Sequence, residues 1–337
     1  MFPEKIEESF HLYLEAIQLL QNALESSYLD AYVENVENIV DQFQVRVVEG
    51  VPNKETTEQV NELYRKIQEI SLEQEDIRKL SQLLLLKGAQ TEPLQPNHQL
   101  TPDSIGFLFV FLIEQLYNKT EKLNVLDLTV GMGNLLLTIL SNLKLANYQI
   151  SGIGVDNDET LLSVAAANGQ WMNADMQLFH QDGLQGLLIE PVDIAVGDVP
   201  VGYYPIDEKA KEYLTAASEG HTYAHHLLME QSMAYVKESG FGLFLLPSNF
   251  LETDQSDQLK KWLSEKVYLQ GIIQLPDELF KNEASRKSIL LVQNHGSQAQ
   301  QVSEVLLAKL TSLKDPKYVT AFFQEFITWK ASSELSK

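Results

Sequence analysis

Four aspartates, each at or just after the end of a predicted strand, are the residues of this chain best placed to do chemistry. They are Asp127, Asp156, Asp182 and Asp198. A carboxylate accepts hydrogen bonds from the hydroxyl and amino groups of a ligand. One such aspartate alone is explained by a helix cap or a turn. Four in succession, after consecutive strands, predict one shared polar site.

The first of these acids begins the sequence Asp-Leu-Thr-Val-Gly-Met-Gly-Asn at residues 127–134. The apolar residues before it and the helical pattern after it predict a buried strand, a tight turn and a helix start. Gly131 can take backbone angles closed to other residues, and Gly133 lets a ligand approach the main chain. Two glycines in a turn are common, so this motif alone is weak evidence for a nucleotide site. The motifs that follow it provide most of the support.

The elements that must position these residues alternate regularly between strand and helix. We predict strands at 149–155, 176–180, 192–196, 242–246, 267–274, 288–293 and 305–309, and helices at 159–167, 223–237, 258–265 and 317–330. This alternation predicts an α/β fold with a mostly parallel sheet and helices on both faces. Ligands bind such sheets beyond the carboxyl ends of the strands, which is where the aspartates fall.

Their order along the chain suggests separate roles. Asp156 ends the strand after the glycine turn, where an acid can hold both hydroxyls of a ribose. Asp182 is suited to an adenine amino group. Asp198 then faces the group that reacts. His221, His225 and His226 are predicted on a surface helix in structural roles, and no metal site is expected.

The N-terminal part is predicted to be helical throughout residues 1–95, with breaks at Pro52 and over 88–96. Acidic side chains outnumber basic ones there by more than two to one. We interpret residues 1–97 as a helical domain and 98–337 as the α/β domain. The helical domain is either a cap on the main domain or a docking surface for a partner protein.

Composition limits the possible functions. The net charge of −22 weighs against a large nucleic-acid surface, which is normally basic, although a local basic groove remains compatible with it. There is no cysteine, which excludes disulfides and thiolate metal sites. No apolar run is long enough to cross a membrane. We therefore expect a cytoplasmic protein without a membrane partner.

The sequence Thr-Pro-Asp at 101–103 predicts a helix start, with Thr101 as N-cap and Pro102 at the first helical position. The alternative is that this helix start covers a bound cofactor. With it, five short motifs follow one another in the chain: Thr-Pro-Asp-Ser-Ile at 101–105, Asp-Leu-Thr-Val-Gly-Met-Gly at 127–133, Gly-Val-Asp-Asn at 154–157, Gln-Asp-Gly-Leu at 181–184 and Asp-Val-Pro-Val-Gly at 198–202.

This ordered set resembles the adenine amino-methyltransferases of DNA, a branch of the S-adenosylmethionine-dependent methyltransferases. The modification subunit of type I restriction systems is the nearest likeness, over about residues 98–310. The resemblance implies a Rossmann-like methyltransferase sheet and S-adenosylmethionine as cofactor. It implies cofactor binding by Thr101, Asp127, Thr129, Gly131, Gly133, Asn134, Asp156, Asn157, Asp182 and Gly183.

The resemblance also implies a catalytic loop of Asp198, Val199 and Pro200, and substrate contacts by Val201, Gly202, Tyr203 and Tyr204. In that family a side-chain oxygen and a backbone carbonyl hold the acceptor amine, here Asp198 and the carbonyl of Val199. No metal takes part.

Two residues of the loop depart from the family pattern. Val201 occupies the position at which the family has an aromatic residue that stacks on the base, so this stacking is lost unless Tyr203 or Tyr204 provides it. Val199 occupies the position of a proline. Three functions stay open: methylation of adenine in DNA or RNA, methylation of a protein amide or small molecule, and cofactor binding in a regulatory protein without transfer activity.

Overall fold

The computed structural model describes residues 4–333 and residue 335, and its N-terminal part is helical, as predicted. Helices α1 to α4 cover Glu4–Leu24, Tyr28–Val40, Lys54–Gln68 and Gln74–Thr91. Ser27 and Asn53 cap α2 and α3, because their side-chain oxygens accept hydrogen bonds from backbone N–H groups three residues on, at 3.1 and 2.9 Å. These caps explain where the second and third helices begin.

The predicted break over 88–96 is wrong at its start, because α4 continues to Thr91. Gly88 lies inside the helix, where an added Cβ would stand 2.2 Å from the ring of Tyr28. This glycine therefore permits the close approach of α2 to α4 and does not end the helix. Between α2 and α3 the chain also forms one isolated bridge, from Val48 to Val51.

The rest of the described chain forms an eight-stranded sheet with helices on both faces, which confirms the predicted fold class. Strands β1 to β8 cover Lys122–Asp127, Gln149–Asp156, Met176–His180, Val192–Asp198, Val236–Pro247, Val267–Gln274, Lys287–Asn294 and Leu306–Lys309. Helices α5 to α11 cover Asp103–Leu116, Asn134–Leu145, Glu159–Trp171, Asp207–Ala210, Ala224–Ala234, Ser256–Glu265 and Pro316–Ser332. Among the described residues no helix combines the length and hydropathy that a membrane span requires.

The strand order β3-β2-β1-β4-β5-β7-β6-β8 places β1 and β4 side by side, where the order of the parallel strands reverses. Ligands bind α/β sheets at such a switch point. Strand β7 is antiparallel to β5, and its first residue, Lys287, pairs with Pro247 at the end of β5. The start of β7 therefore lies at the same edge of the sheet as the carboxyl ends of the parallel strands.

The helix predicted at 223–237 is shorter than expected. It ends at Ala234, and β5 already begins at Val236, which pairs with Val192 of β4. A register shift follows between Val192 and Ile194. The extra pairing draws the last predicted helical residues into the sheet.

The N-terminal helices share an apolar core with α7 of the sheet domain. Tyr13 of α1 stacks on Trp171 with ring centroids 5.2 Å apart. The hydroxyl of Tyr32 in α2 donates to the side-chain oxygen of Asn168 at 2.5 Å. The two parts of the chain are therefore packed against each other by a buried, specific interface.

Arg78 of α4 makes a second set of contacts with the sheet domain, at α5 and α6. Its guanidinium is almost completely buried and donates to the carboxylates of Glu75 and Asp103 at 2.7–3.0 Å. It also donates to the hydroxyl of Thr138 in α6 at 3.3 Å. Because Asp103 is the first residue of α5, this cluster fixes the start of α5 relative to the N-terminal domain.

Candidate active site

The carboxyl ends of β1, β4 and β5, the start of β7 and the segment before α5 enclose a cavity of about 480 Å³. Nine of the predicted site residues line it: Thr101, Asp127, Thr129, Gly131, Asn134, Asp198, Val199, Pro200 and Val201. The cavity therefore brings the glycine turn and the loop after β4 together, as their positions at neighbouring strand ends require.

The glycine turn follows Asp127 at the end of β1. Gly131 and Gly133 have φ angles of 51° and 82°, which lie in the left-handed region that glycine enters without strain. A Cβ added to Gly131 would meet open space, whereas one added to Gly133 would stand 3.2 Å from Ala165. Gly133 thus lets α6 pack closely against α7, and Gly131 faces the cavity.

Asp156 at the end of β2 holds this turn from the neighbouring strand. One of its carboxylate oxygens accepts from the backbone N–H of Gly131 at 2.7 Å, and the other accepts from that of Asp158 at 2.9 Å. Asp156 is not among the residues that line the cavity. Its direct contacts in this structure are with the backbone N–H groups of Gly131 in the turn and of Asp158.

Asp127 is the most deeply buried acid of the site. Burial raises the pKa of its carboxyl group to about 7, and the negative charges of Asp156 and Asp198 add to this effect. Hydrogen bonds from the Thr129 backbone N–H at 2.9 Å and its hydroxyl at 3.3 Å act in the opposite direction. The site therefore holds a buried carboxyl group that is only partly ionised near neutral pH.

Asp198 at the end of β4 accepts hydrogen bonds on both oxygens. The hydroxyl of Thr101 donates to Oδ2 at 2.9 Å, and the ammonium group of Lys287 donates to Oδ1. The carbonyl of Thr101 in turn accepts from the side-chain amide of Asn134, the first residue of α6. Thr101 therefore connects the glycine turn to Asp198.

The prediction that Thr101 caps α5 is wrong. Helix α5 begins at Asp103 with Pro102 in the cap position, and no side-chain cap hydrogen bond forms there. The Thr101 hydroxyl instead donates to Asp198, whose charged oxygen is a stronger acceptor.

The loop after Asp198 is held from two sides. The backbone N–H of Val199 donates to the carbonyl of Leu245 in β5 at 3.2 Å. The side chain of Asn97 bonds both backbone groups of Val201, at 3.0 and 3.2 Å. Val201 as a whole is 47% exposed, so it stays accessible although Asn97 holds its backbone.

The two tyrosines of the loop differ in their surroundings. Tyr204 is buried, and its hydroxyl donates to Asp182 at 2.5 Å. Tyr203 is 56% exposed and stacks on Tyr223 with ring centroids 4.8 Å apart. Of the two tyrosines, Tyr203 is therefore the one exposed to solvent.

The other predicted residues lie outside the cavity lining, namely Gly133, Asp156, Asn157, Asp182, Gly183, Gly202, Tyr203 and Tyr204. The second carboxylate oxygen of Asp182 accepts from the backbone N–H of Leu184 at 2.9 Å. The carbonyl of Asn157 contacts a ring nitrogen of His180 at 3.2 Å. The roles assigned to these residues stay predictions.

Sequence reasoning missed Asn97, Lys281, Arg286 and Lys287, which also line the cavity. The three basic residues lie at or just before the start of β7. Only the antiparallel direction of β7 brings them to this edge of the sheet, and residue types alone do not reveal that direction.

The prediction of three histidines on a surface helix is also wrong. His225 and His226 lie in α9 but are buried, and their ring nitrogens have no hydrogen-bond partner within the part of the chain that the structure describes. Burial lowers the pKa of His225 to about 3 and that of His226 to about 4, so both rings are neutral at pH 7. His221 precedes the helix and contacts Asp207 at 2.8 Å.

The cavity fits S-adenosylmethionine, a ligand that carries hydroxyl, amino and carboxylate groups. Its volume lies within the range of pockets for small ligands and cofactors. The open space beside Gly131 and the buried carboxyl of Asp127 are features that such a ligand would use. Thr101, Asp127, Thr129 and Asn134 are the polar residues here that would hold it.

The fold is that of the S-adenosylmethionine-dependent methyltransferases, with the glycine turn and an acid at the expected strand ends. The chain belongs to the N-6 DNA methylase family, which it matches over residues 80–321. Residues 7–89 match a second family, the YtxK N-terminal helical domain. S-adenosylmethionine is accordingly the expected cofactor.

Two proteins are similar to this chain over almost its whole length. The protein YtxK of Bacillus subtilis is 36% identical over 324 residues, which cover 95% of this chain and 96% of YtxK. A crystal structure from Listeria monocytogenes, assigned to the class I S-adenosylmethionine-dependent methyltransferases, is 38% identical. It superposes with a TM-score of 0.88 over 97% of this chain and 99% of its own.

A type I restriction-modification methyltransferase subunit from Streptococcus thermophilus shares the fold at 12% identity. Its TM-score is 0.66, over 94% of this chain and 74% of that one. At this identity the similarity concerns the fold alone.

Proposed function

We propose that this methyltransferase acts on the exocyclic amino group of adenine in DNA or RNA. One observation carries the proposal: Asp198 shares a single cavity with the glycine turn and is linked to it through Thr101. A carboxylate in that position can accept a hydrogen bond from an amine that approaches the cofactor. Membership of the N-6 DNA methylase family supports an amino group as the acceptor.

The chain's own residues would orient the acceptor. An exocyclic amine is a poor nucleophile because its lone pair is delocalised into the ring. Hydrogen bonds from the amine to Asp198 and to the carbonyl of Val199 would turn that lone pair toward the cofactor, which supplies a methyl group on a positively charged sulfur. The bond from the Val199 N–H to Leu245 fixes the orientation of the loop. Orientation of this kind contributes up to about 7–11 kcal/mol in ideal cases.

Tyr203 supports a flat acceptor despite the valine at position 201. Its ring is exposed, lies two residues beyond Val201 and is held by the stack on Tyr223. A base stacked on an aromatic ring gains about 1–3 kcal/mol. We assign Tyr203 the stacking role that Val201 cannot fill.

Three basic residues on one side of the cavity permit a short contact with phosphate groups. Lys281, Arg286 and Lys287 line it, although the chain as a whole has a net charge of −22. The Arg286 guanidinium is paired with Asp277 and Glu283 at 2.9 Å. Because Lys287 is likewise paired with Asp198, much of this positive charge is already compensated, and the edge suits a short contact with nucleic acid rather than a long phosphate-binding surface.

A protein amide is the second candidate acceptor, and the exposed Val201 side chain favours it. An amide side chain is flat but small, so it needs no large stacking surface. Its nitrogen lone pair is delocalised like that of adenine, and the same two acceptors would orient it. Asp198 is therefore required under both alternatives.

Transfer from radiolabelled S-adenosylmethionine to the DNA, RNA and protein of a cell extract tests the proposal. We expect label in nucleic acid, recovered as methylated adenine after digestion, and no label with Asp198→Ala. Label confined to protein would favour the amide acceptor. Binding of the cofactor without any transfer would support a regulatory protein and contradict the proposal.

A further inference from the structure

The carboxylate of Asp198 already binds the ammonium group of a lysine side chain in this structure. The side-chain nitrogen of Lys287 donates to Oδ1, while Thr101 donates to Oδ2 at 2.9 Å. The two side chains of this ion pair are only 24% and 20% exposed. Lys287 reaches Asp198 because β7 runs antiparallel and begins beside the ends of β4 and β5.

This ion pair occupies the group that an acceptor amine needs. A carboxylate has about four lone-pair sites, so a further donor is possible in principle. A second nitrogen donor must nevertheless share Oδ1 with a full positive charge in a partly buried place. If Lys287 is displaced instead, its ammonium loses its partner, and an unpaired charge in such a place is unfavourable.

We propose that Lys287 is a specificity-determining residue. Its ammonium group occupies the oxygen of Asp198 that would bind the amine of the substrate. Only substrates that offer this ammonium group a different hydrogen-bond acceptor are therefore admitted. The inference rests on the proposed function, since it takes Asp198 as the amine-binding group. The substrates that meet this condition carry an amino group next to an atom with a free lone pair. A ring nitrogen next to the amino group of adenine has this arrangement, and so does the carbonyl oxygen of an amide. A simple alkylamine lacks it.

Two cofactor analogues test this competition without any methyl acceptor. S-adenosylhomocysteine lacks the transferable methyl group. Sinefungin carries a primary alkylamine on the carbon that replaces the methyl-bearing sulfur, so it presents to Asp198 an amine without a neighbouring lone pair. Calorimetry gives the ratio of the two affinities for the wild type and for variants of the full-length protein.

In the wild type Lys287 should disfavour sinefungin, because two cations compete for one carboxylate. We expect Lys287→Met to shift the ratio toward sinefungin by at least tenfold, with the affinity for S-adenosylhomocysteine retained as the check of folding. Lys287→Arg keeps the cation and should keep the wild-type ratio. Lys281→Met removes another lysine that lines the same cavity and should leave the ratio unchanged.

The gain must depend on Asp198. In the double variant Lys287→Met with Asp198→Asn, the tenfold shift should disappear, because the amine then has no carboxylate to gain. An unchanged ratio in Lys287→Met, or an equal shift in Lys281→Met, would overturn the inference. Either result leaves the proposed function standing, because the transfer assay with labelled cofactor decides that question separately.

Discussion

Thr101 and Asp198 are joined by a hydrogen bond of 2.9 Å, although 97 positions separate them in the sequence. The same threonine accepts a hydrogen bond on its carbonyl from Asn134. One residue therefore touches both the turn on the cofactor side of the cavity and the acid on the acceptor side. Its position couples the two halves of the site through short polar contacts.

Replacement of Asp198 should affect transfer far more than cofactor binding, because its carboxylate is placed for the acceptor amine. We expect Asp198→Ala to abolish methyl transfer and to change the affinity for S-adenosylmethionine less than tenfold, or under about 1.4 kcal/mol. Asp198→Asn should keep part of the activity, since an amide oxygen still accepts a hydrogen bond. Transfer assays and calorimetry on the three proteins check this, and full activity of Asp198→Ala would contradict it.

Asp156 should contribute to cofactor binding through the turn that it holds. Asp156→Ala removes the acceptor for the Gly131 N–H, and we expect a loss of about 1–3 kcal/mol in cofactor affinity. Asp158→Ala is the matched control. It removes the N-cap of α7, which should lower stability by about 1 kcal/mol and leave cofactor affinity unchanged. Equal losses of affinity in both variants would mean that Asp156 acts only through the fold.

Asp127 makes the stability of the cofactor-free protein depend on pH. An acid with a pKa near 7 in the folded state and near 4 when unfolded binds its proton more tightly when folded. Its contribution to the free energy of unfolding therefore falls as pH rises from about 4 to about 7. Asp127→Asn lacks this term. The variant should gain stability relative to the wild type over that range, by several kcal/mol at most, in chemical denaturation at pH 5 and pH 8. Parallel pH profiles for the two proteins would contradict this prediction.

Tyr203 should matter for a base acceptor. Tyr203→Ala removes the exposed ring, and the loss of stacking should raise the Michaelis constant for single-stranded nucleic acid by a factor that corresponds to about 1–3 kcal/mol. Cofactor affinity should not change. Tyr318→Ala, at an exposed tyrosine of α11, is the control for a general surface effect. If both variants have wild-type kinetics, stacking on Tyr203 is ruled out.

Much of the sheet could be predicted from local pattern. The bounds of β3 and β6 agree with the prediction residue for residue, because each strand is a short run bounded by clear helices or turns. Asp127, Asp156 and Asp198 are the last residues of their strands, and the prediction placed each of them at or just after a strand end.

The remaining features depend on contacts between distant parts of the chain. The direction of β7 determines whether Lys287 lies at the site or at the opposite edge, and a strand of alternating or apolar residues has the same pattern in both directions. The burial of His225 and His226 depends on which face of α9 meets the sheet. Thr101 has the sequence context of a helix N-cap, but its hydroxyl donates instead to the carboxylate of Asp198 at the end of β4.

The apolar core that α1 to α4 share with α7 affects how the protein folds during its synthesis. The four helices emerge from the ribosome before α7 has been synthesised, so the surface that later contacts Trp171 and Asn168 is at first exposed to solvent. The nascent helical domain therefore carries an incomplete core while the first strands are translated, and that is the stage at which a chaperone would find it.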